Sequence, residues 1–240
     1  MGAEQDTFTA LDLSVDAHVH TGFAAGRDSV GVIVAAADQA GLRSLTFADQ
    51  VGPDTAWLPA LADAVRRAQR RTEMTLRVAA EVEVVRPDGW LDWPADLSSL
   101  EAVSVAVSHL PLGLEILNVR EVRAMLATGE LTPAAVAENL VTATINGIER
   151  ASRYAPAQLA RPFGLLAQVG LDDTVLTAEL IGALATACRE TGALVEISEA
   201  WRCPSARVVA TLREAHVALV PASDARYAAE VGRWQYLLRV

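Results

Sequence analysis

Apolar runs of two-residue period alternate with longer segments of helical period along almost the whole chain, and this alternation limits the possible folds more than any other feature. Leu13, Val15, Ala17 and Val19 alternate with polar residues and predict a first strand. Residues 42–49, 74–85, 103–110, 160–166, 193–198 and 217–223 predict six more. Helical segments fall between them: one capped by Ser29 and closed by Gly41, then 55–71, 119–126, a helix capped by Thr132 that runs towards Arg153, 177–190 and 205–215, with a closing helix over 230–238. Strand–helix alternation implies a mostly parallel sheet covered by helices. About seven such units favour a closed α/β barrel of the TIM type over a doubly wound sheet. Residues 1–240 are read as one barrel domain, with 1–10 as a loose polar leader.

Composition fits that size. Of 240 residues, 52% are hydrophobic, enough to bury one substantial core. Thirty acidic residues against twenty basic ones give a formal charge of −10, which repels a nucleic-acid backbone unless basic residues are concentrated. The one dense basic run, Arg66-Arg67 with Arg70-Arg71, belongs to a solvated helix face, so no nucleic-acid partner is expected. Two cysteines, Cys188 and Cys203, make no disulfide framework and suit a reducing compartment. The N-terminus has no basic stretch followed by an apolar one, and no apolar run reaches membrane-spanning length. The expectation is a cytoplasmic protein with no membrane partner. Oligomeric state is not readable.

Polar residues collect where the predicted strands end: His18 and His20, Asp49, Glu81 and Glu83, His109, and Ser223-Asp224. In an α/β barrel the C-terminal strand ends form one rim, so these residues can converge. His18 and His20 share one side of a strand and can each give an imidazole nitrogen to a metal, with Glu81 and Asp224 adding oxygen ligands. Such a set suits zinc, manganese or iron. Asp16 lies behind the pair and can orient a ligand histidine. A plainer reading stands beside this one. Histidines at strand ends are often structural hydrogen-bonding residues, and Glu81 can simply pair with an arginine across the barrel mouth. His216 precedes a strand on the opposite rim and reads as structural. Cys188 reads as a buried apolar residue, Cys203 as a structural or pocket-lining one. No glycine-rich nucleotide loop and no Walker lysine motif occurs.

From Asp16 to Tyr236 the order of motifs resembles the PHP (polymerase and histidinol phosphatase) family. His18-Val19-His20-Thr21 matches its opening His-x-His-Thr, and Ala48-Asp49-Gln50 a segment usually reading Thr-Asp-His. Glu81 matches the glutamate that bridges metals, and His109 the next ligand histidine. Residues 160–164, Ala-Arg-Pro-Phe-Gly, resemble Ala-His-Pro-Phe-Gly; residues 223–226, Ser-Asp-Ala-Arg, resemble the closing Ser-Asp-Ala-His, and Val231-Gly232-Arg233 continues the pattern. The resemblance implies a distorted (β/α)7 barrel, divalent metals and phosphoester hydrolysis. It also implies a reduced centre, because three ligand histidines are replaced by Gln50, Arg161 and Arg226. One metal position keeps His18, His20, Glu81 and Asp224.

Three function classes follow. The first is a one-metal hydrolase for a small phosphorylated or carboxylated metabolite, with Arg161 and Arg226 meeting the anion and Asp49 or His109 handling a proton. The second is a lyase, isomerase or cyclase on the same scaffold. The third is an inactive anion-binding protein; the plainer alternative for the arginines is that they pair with Glu83, Asp49 or Asp224 and seal an inactive site.

Overall fold

The structure is a computed structural model that describes residues 11–240; the leader expected at 1–10 lies outside the described residues. The chain runs β1 (Val15–Val19), α1 (Val30–Gln39), β2 (Ser44–Gln50), α2 (Leu58–Gln69), β3 (Thr75–Glu83) and β4 (Ala102–Ala106). A hairpin of β5 (Leu110–Leu112) and β6 (Glu115–Leu117) leads to α3 (Val119–Thr128) and α4 (Pro133–Ala151). Then come β7 (Ala157–Leu159), α5 (Gly164–Gln168), α6 (Ala178–Thr191), β8 (Leu194–Ser198), α7 (Ala206–Glu214) and β9 (Leu219–Ala222). Seven strands form one parallel sheet in the order β1-β2-β3-β4-β7-β8-β9. Its two ends meet just beyond β9. The Asp224 amide donates to the His18 carbonyl at 2.9 Å, and the His20 amide to the Ala225 carbonyl at 2.9 Å. The result is a distorted, nearly closed (β/α)7 barrel.

Local sequence explains most helix ends. The hydroxyls of Thr132, Thr177 and Ser205 accept from Ala135, Leu180 and Val208 and so satisfy first-turn amides of α4, α6 and α7. Pro133 opens α4, where its missing N–H costs nothing. Ser29 stands at the N-cap of α1 without a side-chain cap bond. Outward-facing strand residues build the core. Val19, Leu45, Phe47 and Val78 pack against Ile33, Leu58 and Leu61 of α1 and α2. Val82, Val103, Val105 and Val195 pack with Leu140, Ile148, Ile181 and Leu184 of α4 and α6. Each large side chain so buried contributes roughly 1.5–3 kcal/mol. The barrel interior is polar by contrast: Glu81 lies opposite Ser104, and Ser104 opposite Gln158, in adjacent strands.

Three expected elements differ. The strand expected at 160–166 is Ala157–Leu159, and residues 164–168 are helical. Arg161 (φ 36°) and Phe163 (φ 63°) turn the chain through left-handed backbone and end the strand. The strand expected to reach residue 110 stops at Ala106, because the Glu83 carboxylate takes the amides of Ser108 (2.6 Å) and His109 (3.0 Å). No helix covers 230–238. Glu199 accepts from the backbone amides of Tyr236 and Leu237, and the Trp234 side chain anchors the segment by donating from its indole to the Leu13 carbonyl. Only short 3-10 turns form, at Ala228–Glu230 and Leu237–Arg239.

The loop after β1 folds tightly onto the strand that carries the histidines. A Cβ at Gly26 would lie 2.6 Å from the His20 carbonyl oxygen, whereas a Cβ at Gly182, in α6, would meet nothing within 4 Å. Gly26→Ala is therefore expected to destabilise by about 1–3 kcal/mol, since backbone must move. Gly182→Ala is expected to stabilise by about 0.4–1 kcal/mol through reduced freedom of the unfolded chain. Urea unfolding of the two variants checks both signs.

Candidate metal centre

The site grows from β1. Strand alternation sends Ala17 and Val19 outwards and Asp16 and His18 into the barrel, with His20 following just past the strand end. Asp16 ties this strand to the far side of the barrel closure, accepting from the amides of Ser223 (2.9 Å) and Gly232 (3.3 Å). Burial pushes its carboxyl up to about 6 against those hydrogen bonds. Glu81 arrives near the end of β3 and Asp224 just after β9, where its left-handed backbone (φ 53°) turns the side chain to the cluster. His18, His20, Glu81 and Asp224 are all at most 3% exposed.

His18 Nε2 lies 3.1 Å from Glu81 Oε2, and His20 Nε2 lies 2.9 Å from Asp224 Oδ1 and 3.7 Å from Glu81 Oε2. The two rings stand edge to face, with centroids 4.9 Å apart. One ligand atom from each of His18, His20 and Glu81 falls within 4.8 Å of the others. His18 Nε2, His20 Nδ1 and Asp224 Oδ2 are buried without a hydrogen-bond partner. Two imidazoles and a carboxylate, with donor atoms left over in a buried site, fit a single divalent ion.

Arg161 forms the other wall. Its guanidinium grips Glu81 with both arms, Nη1 on Oε2 at 2.8 Å and Nη2 on Oε1. Nη2 also donates to Ser108 Oγ at 2.8 Å, Nη1 lies 3.6 Å from Asp224 Oδ2, and the group stacks over Trp201 at 5.3 Å. These charges set the protonation. Burial alone would raise the pKa of Glu81, but Arg161 and His18 overcome it and hold the carboxyl well below its ordinary range. Burial likewise opposes ionisation of Asp224 and is outweighed by His20, His18 and Arg161. Burial disfavours the imidazolium of His18, yet Glu196, Glu81 and Asp224 raise its pKa well above the usual value. His20 is raised for the same reason, by Asp224 and Asp49.

The remaining expected residues take different places. Asp49 is buried and accepts from the Thr21 amide (2.8 Å) and hydroxyl, which fixes the start of the loop after β1. Gln50 donates to Glu81 Oε1 at 3.3 Å. His109 is turned outwards: its Nδ1 lies 3.4 Å from Glu83, which raises its pKa, and its side chain is 48% exposed. Arg226 is exposed beside Tyr227, with its backbone amide held by Glu230. The expectation that Arg161 and Arg226 share one anion pocket thus meets two environments, one buried on Glu81 and one open to solvent. Cys203 is buried, and that burial raises its thiol pKa, so a ready thiolate is not on offer. Sequence reading missed Glu196, Gln158, Ser104 and Trp201. Glu196 carried a usable signal: a carboxylate in the middle of the apolar run Leu-Val-Glu-Ile.

Neither the family models nor the curated proteins include a match to this chain. Among solved structures, the chain is similar to histidinol phosphate phosphatase from Lactococcus lactis subsp. lactis Il1403, solved with zinc, L-histidinol and phosphate: TM-score 0.65, 12% identity, 93% of this chain and 88% of that chain covered. An HpcH/HpaI aldolase from Desulfitobacterium hafniense DCB-2 aligns over 87% of this chain and 85% of its own at 11% identity, with a TM-score of only 0.40. At 12% identity, the likeness to the phosphatase is one of fold.

Proposed function

We propose that the chain is a divergent PHP-type, metal-dependent hydrolase acting on a small phosphorylated or carboxylated metabolite. One divalent ion (zinc, manganese or iron) would be held by His18, His20, Glu81 and Asp224. The observation that carries this reading is the convergence of buried donor atoms from His18, His20 and Glu81 in a barrel whose fold matches a phosphatase. A bound ion would supply Lewis acidity and lower the pKa of a coordinated water.

The chain's own residues supply the rest. Arg161 keeps Glu81 ionised and fixed in direction, which leaves Oε2 on the histidine side. Thr21 and Asp49 hold the loop after β1 in place behind His20. His109, outside the buried cluster, has Nδ1 on Glu83, which leaves Nε2 as the atom that would give or take a proton. Arg226, two residues past Asp224, offers an exposed guanidinium to the anionic end of a substrate. The acidic overall charge favours a small metabolite over a nucleic acid.

One observation favours a second reading. Both oxygens of Glu81 are already satisfied by Arg161, so the cluster can persist as a closed salt-bridge network without turnover. A lyase, isomerase or cyclase on the same barrel would be recognised by products other than inorganic phosphate.

Zinc- or manganese-loaded protein is expected to release inorganic phosphate from small phosphomonoesters. Replacing His18 and His20 together by alanine should abolish both that release and saturable metal binding by calorimetry. Unchanged metal affinity in the double variant rejects the ligand assignment. Metal binding without phosphate release, and without release of a carboxylic product, moves the reading to non-hydrolytic chemistry.

Arg161→Met leaves Glu81 buried without its cation and is expected to cost about 3–5 kcal/mol. The sign with pH follows from the depressed Glu81 pKa. Its stabilisation is present above the unfolded carboxyl value and is lost as pH falls through the folded one, so the gap between parent and variant narrows in acid. Thermal melts from pH 3 to 8 measure it. A variant as stable as the parent at neutral pH contradicts the role given to Arg161.

A further inference from the structure

Glu196 is fully buried in the middle of β8, and its position in the metal proposal is that of neither ligand nor substrate contact. All its hydrogen bonds point the same way. Oε1 lies 2.9 Å from His18 Nδ1, on the side of the ring away from Glu81. That oxygen is itself located by Gln158 Nε2 at 2.7 Å and by the Ser104 hydroxyl at 3.2 Å. Oε2 accepts from the Arg161 backbone amide at 3.3 Å, at a residue held in left-handed backbone with φ 36°. One carboxylate thus touches the two residues that meet Glu81 from either side.

We infer that Glu196 is a positioning residue that fixes the His18 ring with its Nδ1 proton on the carboxylate and Nε2 facing Glu81, while pinning the backbone from which Arg161 reaches the same glutamate. Four partners leave Glu196 little freedom to rotate. In the neutral ring that a metal requires, an imidazole that donates from Nδ1 to a fixed acceptor has its lone pair on Nε2, the atom buried without a hydrogen-bond partner. A carboxylate behind a ligand histidine also makes that ligand more basic. The supporting residues have the right chemistry for this task. Ser104 and the Gln158 amide give protons to Glu196 Oε1 and so keep it an acceptor. Gln158 Nε2 is 2.8 Å from the Ala17 carbonyl in β1, which couples β7 and β8 to the strand that carries His18.

The consequence for metal affinity rests on the one-metal reading; the orientation of His18 does not. The test therefore has two readouts on Glu196→Gln and Glu196→Ala. The first is a two-bond 1H–15N correlation spectrum of the metal-free protein, tractable because the chain has four histidines. The parent should show a slowly exchanging His18 Nδ1 proton. Glu196→Gln should keep it, since the amide oxygen can still accept, and Glu196→Ala should lose it. The second readout is Zn2+ affinity by competition with a chromophoric chelator. Affinity should fall about 10-fold in Glu196→Gln and about 100-fold in Glu196→Ala. The inference is overturned by a Glu196→Ala protein that retains the parent's Nδ1 proton. It is equally overturned if the parent binds zinc and Glu196→Gln binds it just as tightly, a comparison that stands even where the alanine variant fails to fold. A parent that binds no zinc overturns the metal proposal instead, and the Nδ1 proton alone then decides the role of Glu196.

Discussion

Glu81 sits between an imidazole and a guanidinium in a site closed to water, and much of the barrel's interior is arranged around that carboxylate. A buried carboxylate without a counter-charge costs several kcal/mol. Five acidic side chains, Asp16, Asp49, Glu81, Glu196 and Asp224, are at most 3% exposed, so the fold must bring hydrogen-bond donors and positive charge inwards to match. Asp16 is met by backbone amides, Asp49 by the amide and hydroxyl of Thr21, and Glu81, Asp224 and Glu196 by His18, His20 and Arg161. A divalent ion coordinated by neutral histidines would carry the same positive charge as two imidazolium protons. The cluster is therefore suited both to standing closed and to taking a metal.

The same network closes the barrel. The main-chain bonds that join Asp224 to His18 and Ala225 to His20 lie on the residues that bear the cluster. Arg161 and Asp224, each just past the end of a strand, both take left-handed backbone where their side chains meet the cluster. Rim geometry and site chemistry cannot be altered separately here. A substitution in one of these segments acts on both.

Much of the framework was legible because strand and helix periodicity are local. The apolar alternation around Val15–Val19 and the threonine and serine caps of α4, α6 and α7 depend on few distant contacts. The failures were tertiary. The fourth strand ends early because Glu83, from another strand, takes the amides of Ser108 and His109. In the segment after residue 230 the amides of Tyr236 and Leu237 go to Glu199, and the Trp234 indole to the Leu13 carbonyl, instead of a helix forming. In the site, the histidine pair and the strand-end carboxylates could be listed from spacing. The meeting of Arg161 with Glu81 could not, because eighty positions separate them and the backbone turn at Arg161 has no composition signature.

Under the proposed function this cluster holds one divalent ion. Elemental analysis of the protein after reconstitution with zinc, manganese or iron and removal of loosely bound ions tests it most directly. Close to one equivalent of one of these metals per chain is expected. A content near zero for all three would leave only the closed salt-bridge network, and two or three tightly held equivalents would contradict the place given to Arg161.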